Sequence, residues 1–210
     1  MNAAPPVAGL VLAGGRSSRM GGQDKAFATL GGVPLVTRAA ARLRPQVSAL
    51  AVSTNTADGY PPLDAPLLAD TVPGFQGPLA GILAGLLWAR GAVPAATHLA
   101  TVAVDTPFFP LDLVARLAKA CAGGVAVAAS GGREHPTFAL VPVALADDLA
   151  RHLAADGSRR LAAWLGAHAP AIVDFPADAG GDPFFNVNMP ADLRHAEERL
   201  GCAHAGHGES

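Results

Sequence analysis

Short apolar runs, each about as long as a strand, alternate along the chain with segments in which apolar residues recur at helical spacing. The first run, 7–13, is nearly all apolar and ends on Gly14-Gly15, which is typical of a strand buried on both faces. Similar runs predict strands at 49–53, 67–69, 98–104, 125–129, 137–141 and 172–175. Helical spacing predicts helices at 34–43, 78–90, 110–120, 144–154, 159–167 and 192–200, with Pro34 as the first residue of the first helix.

This alternation of strands and helices predicts an α/β fold. We expect a three-layer, Rossmann-like sandwich in which a mostly parallel sheet carries helices on both faces. The 210 residues suit a single domain, expected over 1–200. The tail, 201–210, lacks periodicity and is predicted to be disordered. In parallel sheets ligands bind at the carboxyl ends of the strands, so residues directly after the apolar runs are the first candidates for a site.

Composition and charge exclude several classes of protein. Half of the residues are apolar and 15% are charged, which excludes a disordered chain. The net charge of −2, without a basic block, argues against a nucleic-acid partner. Cys121 and Cys202 form no zinc or disulfide pattern. No apolar window reaches the ~18 residues of a membrane span, and the N-terminal run is too short for a signal peptide. A cytoplasmic protein without membrane contact is therefore expected.

A glycine-rich segment, LAGGRSSRMGGQDK, follows the first predicted strand and covers residues 12–25. It fits neither the GxGxxG dinucleotide motif nor the GxxxxGK(S/T) P-loop motif. Its glycines let backbone N–H groups approach phosphate oxygens, and Arg16, Arg19 and Lys25 supply positive charge. The alternative is a solvated turn that happens to be rich in glycine. Three cations and four glycines after a buried strand favour a loop that binds nucleotide phosphates.

Two aspartates also stand directly after apolar runs. Asp105, in VAVDTP, ends a run with no other charge, and a carboxylate there is costly unless it is solvated or holds a cation. Mg²⁺ typically binds one or two carboxylates together with phosphate oxygens and water. Helix capping is the alternative for Asp105, but the helix predicted from Pro110 begins too far away. Asp70 opens a loop that ends in GPLAG, 77–81. It could accept a hydrogen bond from a nucleotide or act as a turn or cap residue.

The segment 12–25 resembles the LAGGxSxRMGxDK signature of the molybdenum cofactor guanylyltransferases, within the wider family of nucleotide-sugar-type nucleotidyltransferases. The Gly14-Gly15 and Asp24-Lys25 pairs are similar to the guanylyltransferase branch, and five motifs follow the family's order over roughly 9–200. The resemblance implies a fold of the nucleotide-diphospho-sugar transferase type. It also implies transfer of GMP from GTP to molybdenum-bound molybdopterin, giving the guanine dinucleotide cofactor and pyrophosphate. The alternatives are a cytidylyltransferase for the same pterin, a sugar-phosphate nucleotidyltransferase and a non-catalytic nucleotide-binding protein.

The resemblance further implies roles for individual residues. Arg19, Lys25 and Asp105 would be catalytic, and Asp105 would bind Mg²⁺ with Asn188 as a second contact, directly or through water. The nucleotide would be bound in the N-terminal half by Leu12, Ala13, Gly14, Gly15, Lys25, Ser53, Asp70, Gly77, Pro78, Leu79 and Asp105. The anionic molybdopterin acceptor would be bound in the C-terminal half by Arg133, His135, Arg159, Asn186 and Asn188. Other cofactor-biosynthesis proteins and molybdoenzyme chaperones are further candidate partners.

Two positions depart from the family pattern. The family usually has asparagine at the position of Ser53, and threonine at that of Met189 in its NVNTP segment. Serine lacks the amide group, which puts the expected nucleotide contact in doubt, and Asn55 on the same strand face is a weak substitute. For Asn188, capping of the last helix is an alternative role. Surface solvation is the alternative for the arginines on the acceptor side.

Overall fold

A mostly parallel sheet forms the centre of the protein. The computed structural model describes residues 6–14, 25–56, 58–72, 77–155, 159–178 and 180–205. The strands are β1 (Val7–Leu12), β2 (Thr29–Leu30), β3 (Val33–Pro34), β4 (Ala49–Ser53), β5 (Leu67–Leu68), β6 (His98–Ala103), β7 (Ala126–Ser130), β8 (Arg133–Pro142) and β9 (Ala171–Asp174). Seven of them form one sheet in the order β5-β4-β1-β6-β8-β7-β9, and β2 and β3 pair separately. Within the sheet, β8 is antiparallel to both neighbours and the other pairs are parallel.

Helices cover both faces of this sheet, as the sequence predicts. They are α1 (Leu35–Leu43), α2 (Pro78–Ala92), α3 (Leu113–Ala120), α4 (Ala146–Ala154), α5 (Leu161–Gly166) and α6 (Pro190–Ala205). Buried residues of α1, α3 and α6 form one hydrophobic core with the sheet, and those of α2, α4 and α5 form the other. The three-layer α/β fold is therefore confirmed. None of the helices in the described part of the chain is both long and apolar enough to cross a membrane.

The central strand β1 shows why the apolar runs are continuous. All six of its residues are buried. Successive side chains of a strand point to opposite faces, so Val7 and Val11 enter one core while Leu10 and Leu12 enter the other. A strand covered on both faces has no polar face. Its unbroken apolar run therefore predicts burial, but it does not say which helices cover the strand.

Most element boundaries differ from the prediction by one to three residues, and two differences have clear local reasons. Pro34 ends β3 with an extended backbone (φ −55°, ψ 142°), and α1 begins one residue later, where the Leu35 N–H donates to Ala28 O at 2.8 Å. Strand β8 begins at Arg133, four residues before the predicted start. Its first residues, Arg133 and Glu134, are exposed and polar, so the apolar pattern marks only the buried half of the strand.

The C-terminal helix α6 differs most from the prediction. Expected at 192–200, it covers Pro190–Ala205, so the predicted disordered tail is wrong for residues 201–205, which are helical. Residues 206–210 lie outside the described part of the chain. Once a helix is nucleated, each added residue gains a backbone hydrogen bond, and the alanines at 203 and 205 favour this extension without any apolar periodicity.

Close packing of α2 brings its N-terminus to the carboxyl edge of the sheet. A Cβ added at Gly85 would lie 2.6 Å from Leu10 Cδ2, and one added at Gly81 would collide with Ser53 Oγ. Glycine at these two positions therefore permits the short distance between helix and sheet. The same approach places Pro78, the first residue of α2, beside the ends of β1 and β6.

Candidate active site

A cleft of about 290 Å³ opens at the carboxyl ends of β1 and β6. The two strands are paired in parallel, with Leu12 opposite Ala103, so the segments that follow them start side by side. The cleft is lined by Leu12, Ala13, Gly14, Lys25, Pro78, Ala103, Val104, Asp105, Thr137 and Asn186. The described ends of the glycine-rich segment, 12–14 and Lys25, therefore meet the VAVDTP segment at one edge of the sheet, as its position after an apolar strand predicts.

Three side chains from distant parts of the chain meet at the edge of this cleft, and two of them, Lys25 and Asp105, line it. Lys25 Nζ donates to Asp105 Oδ2 at 3.2 Å and to Asn188 Oδ1 at 2.5 Å. The side chains of Lys25 and Asp105 are 20% and 21% exposed, so the ion pair is partly shielded from water yet reachable from the cleft. Arg19 and Gly15, which the sequence also assigns to this loop, lie outside the described residues.

The segment before α6 is fastened to the end of β6. The Val187 N–H donates to Asp105 O at 2.7 Å. The Thr106 side chain, which is fully buried, donates to Asn186 Oδ1 at 2.5 Å. These two bonds hold Asn186 at the cleft and fasten the segment that carries both asparagines to the backbone at Asp105 and to the side chain of Thr106.

Asn188 directs its side chain to Lys25 rather than capping α6 with it. Its side-chain oxygen accepts from Lys25, while Asp192 Oδ2 accepts from the backbone N–H groups of Asn188 and Met189 at 2.9 and 2.8 Å. An acidic side chain in the first helical turn is favourable there, because it complements the positive end of the helix dipole. The structure thus leaves the side chain of Asn188 available to the site.

The oxygens of this site fit a hard divalent ion such as Mg²⁺ better than zinc. Asp105 offers a carboxylate and Asn188 an amide oxygen, and Mg²⁺ commonly takes one or two carboxylates and completes its shell with phosphate oxygens and water. Zinc would require three or four closely placed His, Cys, Asp or Glu ligands. No group of three such residues is arranged to hold a metal ion within the described residues.

Several residues predicted to bind the nucleotide lie elsewhere. Ser53 is 3% exposed and its hydroxyl packs against Gly81, so its side chain is hidden from the cleft. Leu79 is 2% exposed and belongs to the hydrophobic core, because the first turn of α2 turns Pro78 toward the cleft and Leu79 toward the sheet. Gly77 is exposed directly before this turn. Side-chain contacts from Ser53 and Leu79 are therefore not available to a nucleotide.

Asp70 and Asn55 are engaged with each other. Asn55 Nδ2 donates to Asp70 Oδ2 at 2.7 Å, and the Asp70 N–H donates to Asn55 Oδ1 at 2.8 Å. This reciprocal pair ties the loop after β4 to the loop after β5. Neither residue belongs to the lining of the cleft. The structure thus gives Asp70 a role in loop positioning, which is the turn-residue alternative.

The residues expected on the acceptor side lie along and beyond β8. Arg133 and Arg159 are exposed, and His135 is half-buried and stacked on Phe184, with ring centroids 4.4 Å apart. His135 Nε2 is buried without a hydrogen-bond partner within the described residues. Burial lowers the pKa of His135, a nearby Asp182 raises it, and Arg133 lowers it again. His135 is therefore biased toward the neutral imidazole.

Comparison with known proteins identifies the family of this chain. The model of the family described as "MobA-like NTP transferase domain" matches residues 9–171, which include the cleft-lining residues 12–14, Lys25, Asp105 and Thr137. The chain belongs to the MobA-like NTP transferase family. The family name denotes a nucleotidyltransferase. The fold and this activity are both those that the sequence predicts.

Individual proteins match this chain in sequence or in fold. The molybdenum cofactor guanylyltransferase of Sinorhizobium fredii is 50% identical over 198 residues, which cover 91% of this chain and 90% of that protein. The molybdopterin-guanine dinucleotide biosynthesis protein A of Archaeoglobus fulgidus has the same fold, with a TM-score of 0.68 and 24% identity over 93% of this chain and 99% of that one. A Mycobacterium tuberculosis protein, Rv0371c, solved in complex with manganese, matches with a TM-score of 0.60 and 17% identity over 93% of this chain and all of that one.

Two threonines of this MobA-like site carry no role in the sequence prediction. Thr137 lines the cleft, and its backbone oxygen accepts from Thr101 Oγ1 at 2.9 Å. Thr106 holds Asn186. Thr137 stands two residues after His135 in the sequence, but the prediction uses only the histidine. For Thr106 the signal is weak, because a threonine after an aspartate could equally face solvent.

Replacing His135 by glutamine should make the stability of the protein less sensitive to acid. Since the folded state lowers the pKa of His135, the unfolded chain takes up this proton at a higher pH than the folded protein. The free energy of unfolding therefore falls as the pH drops through and below about 6.5. Urea unfolding of both proteins at about pH 7.5 and about pH 5.5 measures the difference. An equal loss of stability in the two proteins would contradict a desolvated, neutral His135.

Proposed function

We propose that this protein transfers GMP from GTP to molybdenum-bound molybdopterin, forming the guanine dinucleotide cofactor and releasing pyrophosphate. The observation that carries the proposal is the cleft at the strand ends, where Lys25 and Asp105 line the wall and Lys25 also contacts Asn188. An ammonium beside a carboxylate and an amide oxygen suits a triphosphate with its divalent ion. The choice of guanine and of the pterin acceptor is supported by the 50% identity to a relative of that name.

The protein's share of this reaction is positioning and charge. A phosphate oxygen of the acceptor attacks the α-phosphorus in line and pyrophosphate leaves, so no nucleophilic side chain is needed. Mg²⁺ held by Asp105 and Asn188 would supply positive charge to the phosphate oxygens. The Lys25 ammonium would lie against the same oxygens, and the exposed backbone of Gly14 would approach them closely. Arg19 would add a further cation from the glycine-rich segment.

The two halves of the chain would divide the substrates between them. The cleft walls from Leu12 to Gly14 and at Pro78 belong to the N-terminal half and would hold the nucleotide. On the other side, Asn186 lines the cleft, and His135 and Arg133 follow outward along β8. Neutral His135 offers a hydrogen-bonding nitrogen, and exposed Arg133 and Arg159 offer charge to an anionic acceptor. The expected cytoplasmic location and the further protein partners stay predictions.

The decisive experiment is detection of the product by mass. The purified protein, molybdenum-loaded molybdopterin and Mg²⁺ are incubated separately with GTP, CTP, ATP and UTP. We expect the guanine dinucleotide with GTP and an equimolar release of pyrophosphate. A product with CTP alone would make the protein a cytidylyltransferase. If a product forms when a sugar phosphate replaces the pterin, the acceptor is a sugar phosphate. Absence of pyrophosphate with every nucleotide would indicate a nucleotide-binding protein without catalysis.

A further inference from the structure

The Lys25 ammonium lies between the two oxygens that are the candidate metal ligands. Its Nζ is 3.2 Å from Asp105 Oδ2 and 2.5 Å from Asn188 Oδ1, the two side chains proposed to hold the metal. We propose that Lys25 competes with the divalent ion for Asp105 and Asn188, so that metal binds well only together with the nucleotide. This inference rests on the proposed metal role of those two residues.

Distance is the first reason for competition. A Mg²⁺ ion bound to Asn188 Oδ1 would lie about 2.1 Å from that oxygen, and Lys25 Nζ is 2.5 Å from the same atom. Ion and ammonium would therefore be within about 5 Å of each other in a partly shielded cleft. Like charges at this range repel strongly where the dielectric is below that of water. Binding of the metal ion while Lys25 keeps its contacts to Asp105 and Asn188 would therefore cost free energy.

The charge of the cleft is the second reason. Among the lining residues that the structure describes, Asp105 is the one carboxylate and Lys25 the one cation. Their charges cancel, so a bare divalent ion would leave the cleft with a net charge of +2. A triphosphate brings the missing negative charge and gives the ammonium new oxygens to contact. Release of Asp105 and Asn188 by Lys25 is then favourable only when the nucleotide arrives.

The side chain of Lys25 is suited to such an exchange. Its ammonium is a compact charge on a flexible four-carbon stem, which can rotate from a carboxylate to a phosphate without moving the backbone. While the nucleotide is absent, Lys25 keeps Asp105 and Asn188 at hydrogen-bonding distance and so maintains the position of the metal ligands. The same residue thus preserves the metal site and restricts its access.

Manganese binding without nucleotide tests this competition directly. Titration of the protein with Mn²⁺ is followed by the electron paramagnetic resonance signal of the free ion, which disappears on binding. Lys25→Met should bind Mn²⁺ about fivefold to thirtyfold more tightly than the unchanged protein, the range expected when the competition of one partly buried ion pair is removed. Lys25→Gln, also neutral but polar, should show the same gain if Met at this position disturbs folding.

Two controls separate this inference from the proposed function. Lys119 is an exposed lysine in α3, and Lys119→Met makes the same charge change away from the cleft. If Lys119→Met gains Mn²⁺ affinity equally, or if neither Lys25 variant gains any, the competition is refuted. Asp105→Asn should lower Mn²⁺ affinity at least about tenfold, because the carboxylate is lost. If Asp105→Asn binds Mn²⁺ as tightly as the unchanged protein, the metal site itself is refuted, whatever the Lys25 variants show.

Discussion

Asp105→Asn should lower the rate of nucleotidyl transfer by about a hundredfold to a thousandfold, the usual effect of removing one group that stabilises charge in a transition state. The substitution keeps the shape of the side chain and removes its charge. Lys25 then loses its anionic partner. A divalent ion loses the only carboxylate among the described residues that line the cleft. The bond from the Val187 N–H to the backbone oxygen of residue 105 is retained, so the fold should survive. Pyrophosphate release at saturating GTP measures the effect.

Asp147→Asn is the matched control for this loss. Asp147 is 72% exposed on α4 and pairs with Arg90 at the surface, so the same charge change there should leave the rate unchanged. Urea unfolding of both variants shows whether the fold is intact. Turnover by Asp105→Asn at the rate of the unchanged protein would contradict a role for Asp105 in the chemistry.

Phe184→Ala should destabilise the protein by about 3–5 kcal/mol, as is typical for deletion of a buried aromatic ring. Phe184 is 2% exposed, and its ring centroid lies 4.8 Å from that of Phe138 and 5.7 Å from that of Phe175. It also supports His135 from one side and stands two residues before Asn186. Loss of the ring should therefore lower both the free energy of unfolding and the affinity for the acceptor. Urea unfolding measures the first effect and the KM for the acceptor measures the second.

Phe184→Leu provides the graded comparison. Leucine keeps an apolar side chain of similar size, so the loss of stability should be less than half of that in Phe184→Ala. A destabilisation by Phe184→Ala below about 1 kcal/mol would show that the ring is not a support of this segment. A normal KM for the acceptor together with a large loss of stability would separate the aromatic cluster from the acceptor site.

The most informative signals in the sequence were those that depend on local order. Continuous apolar runs predict strands buried on both faces, and β4 has the bounds expected from the pattern alone. The carboxyl ends of parallel neighbours share one edge of the sheet. For this reason the strand pattern alone predicts that Gly14 and Asp105 lie in one site, and both line the cleft. The glycine-rich motif then indicated a nucleotidyltransferase, and the family match confirms it.

Long-range partners could not be predicted in this way. Periodicity does not give the direction of an apolar strand, so antiparallel β8 was not expected. Nor does it say which polar groups face a ligand: Ser53 is buried against α2, and Asp70 is tied to Asn55. These outcomes depend on how closely helices and loops pack, which is a property of the whole fold.

The sequence by itself determined the α/β class, the family and the edge of the sheet at which the site lies, because each depends on motifs and on the order of strands. Only the tertiary structure decided that Lys25 contacts Asn188, 163 residues away in the chain. It also decided that Thr106 holds Asn186 across 80 residues. Contacts of this kind depend on side-chain distances after folding, since neither spacing nor composition specifies which distant polar group will satisfy a partly buried ammonium or hydroxyl.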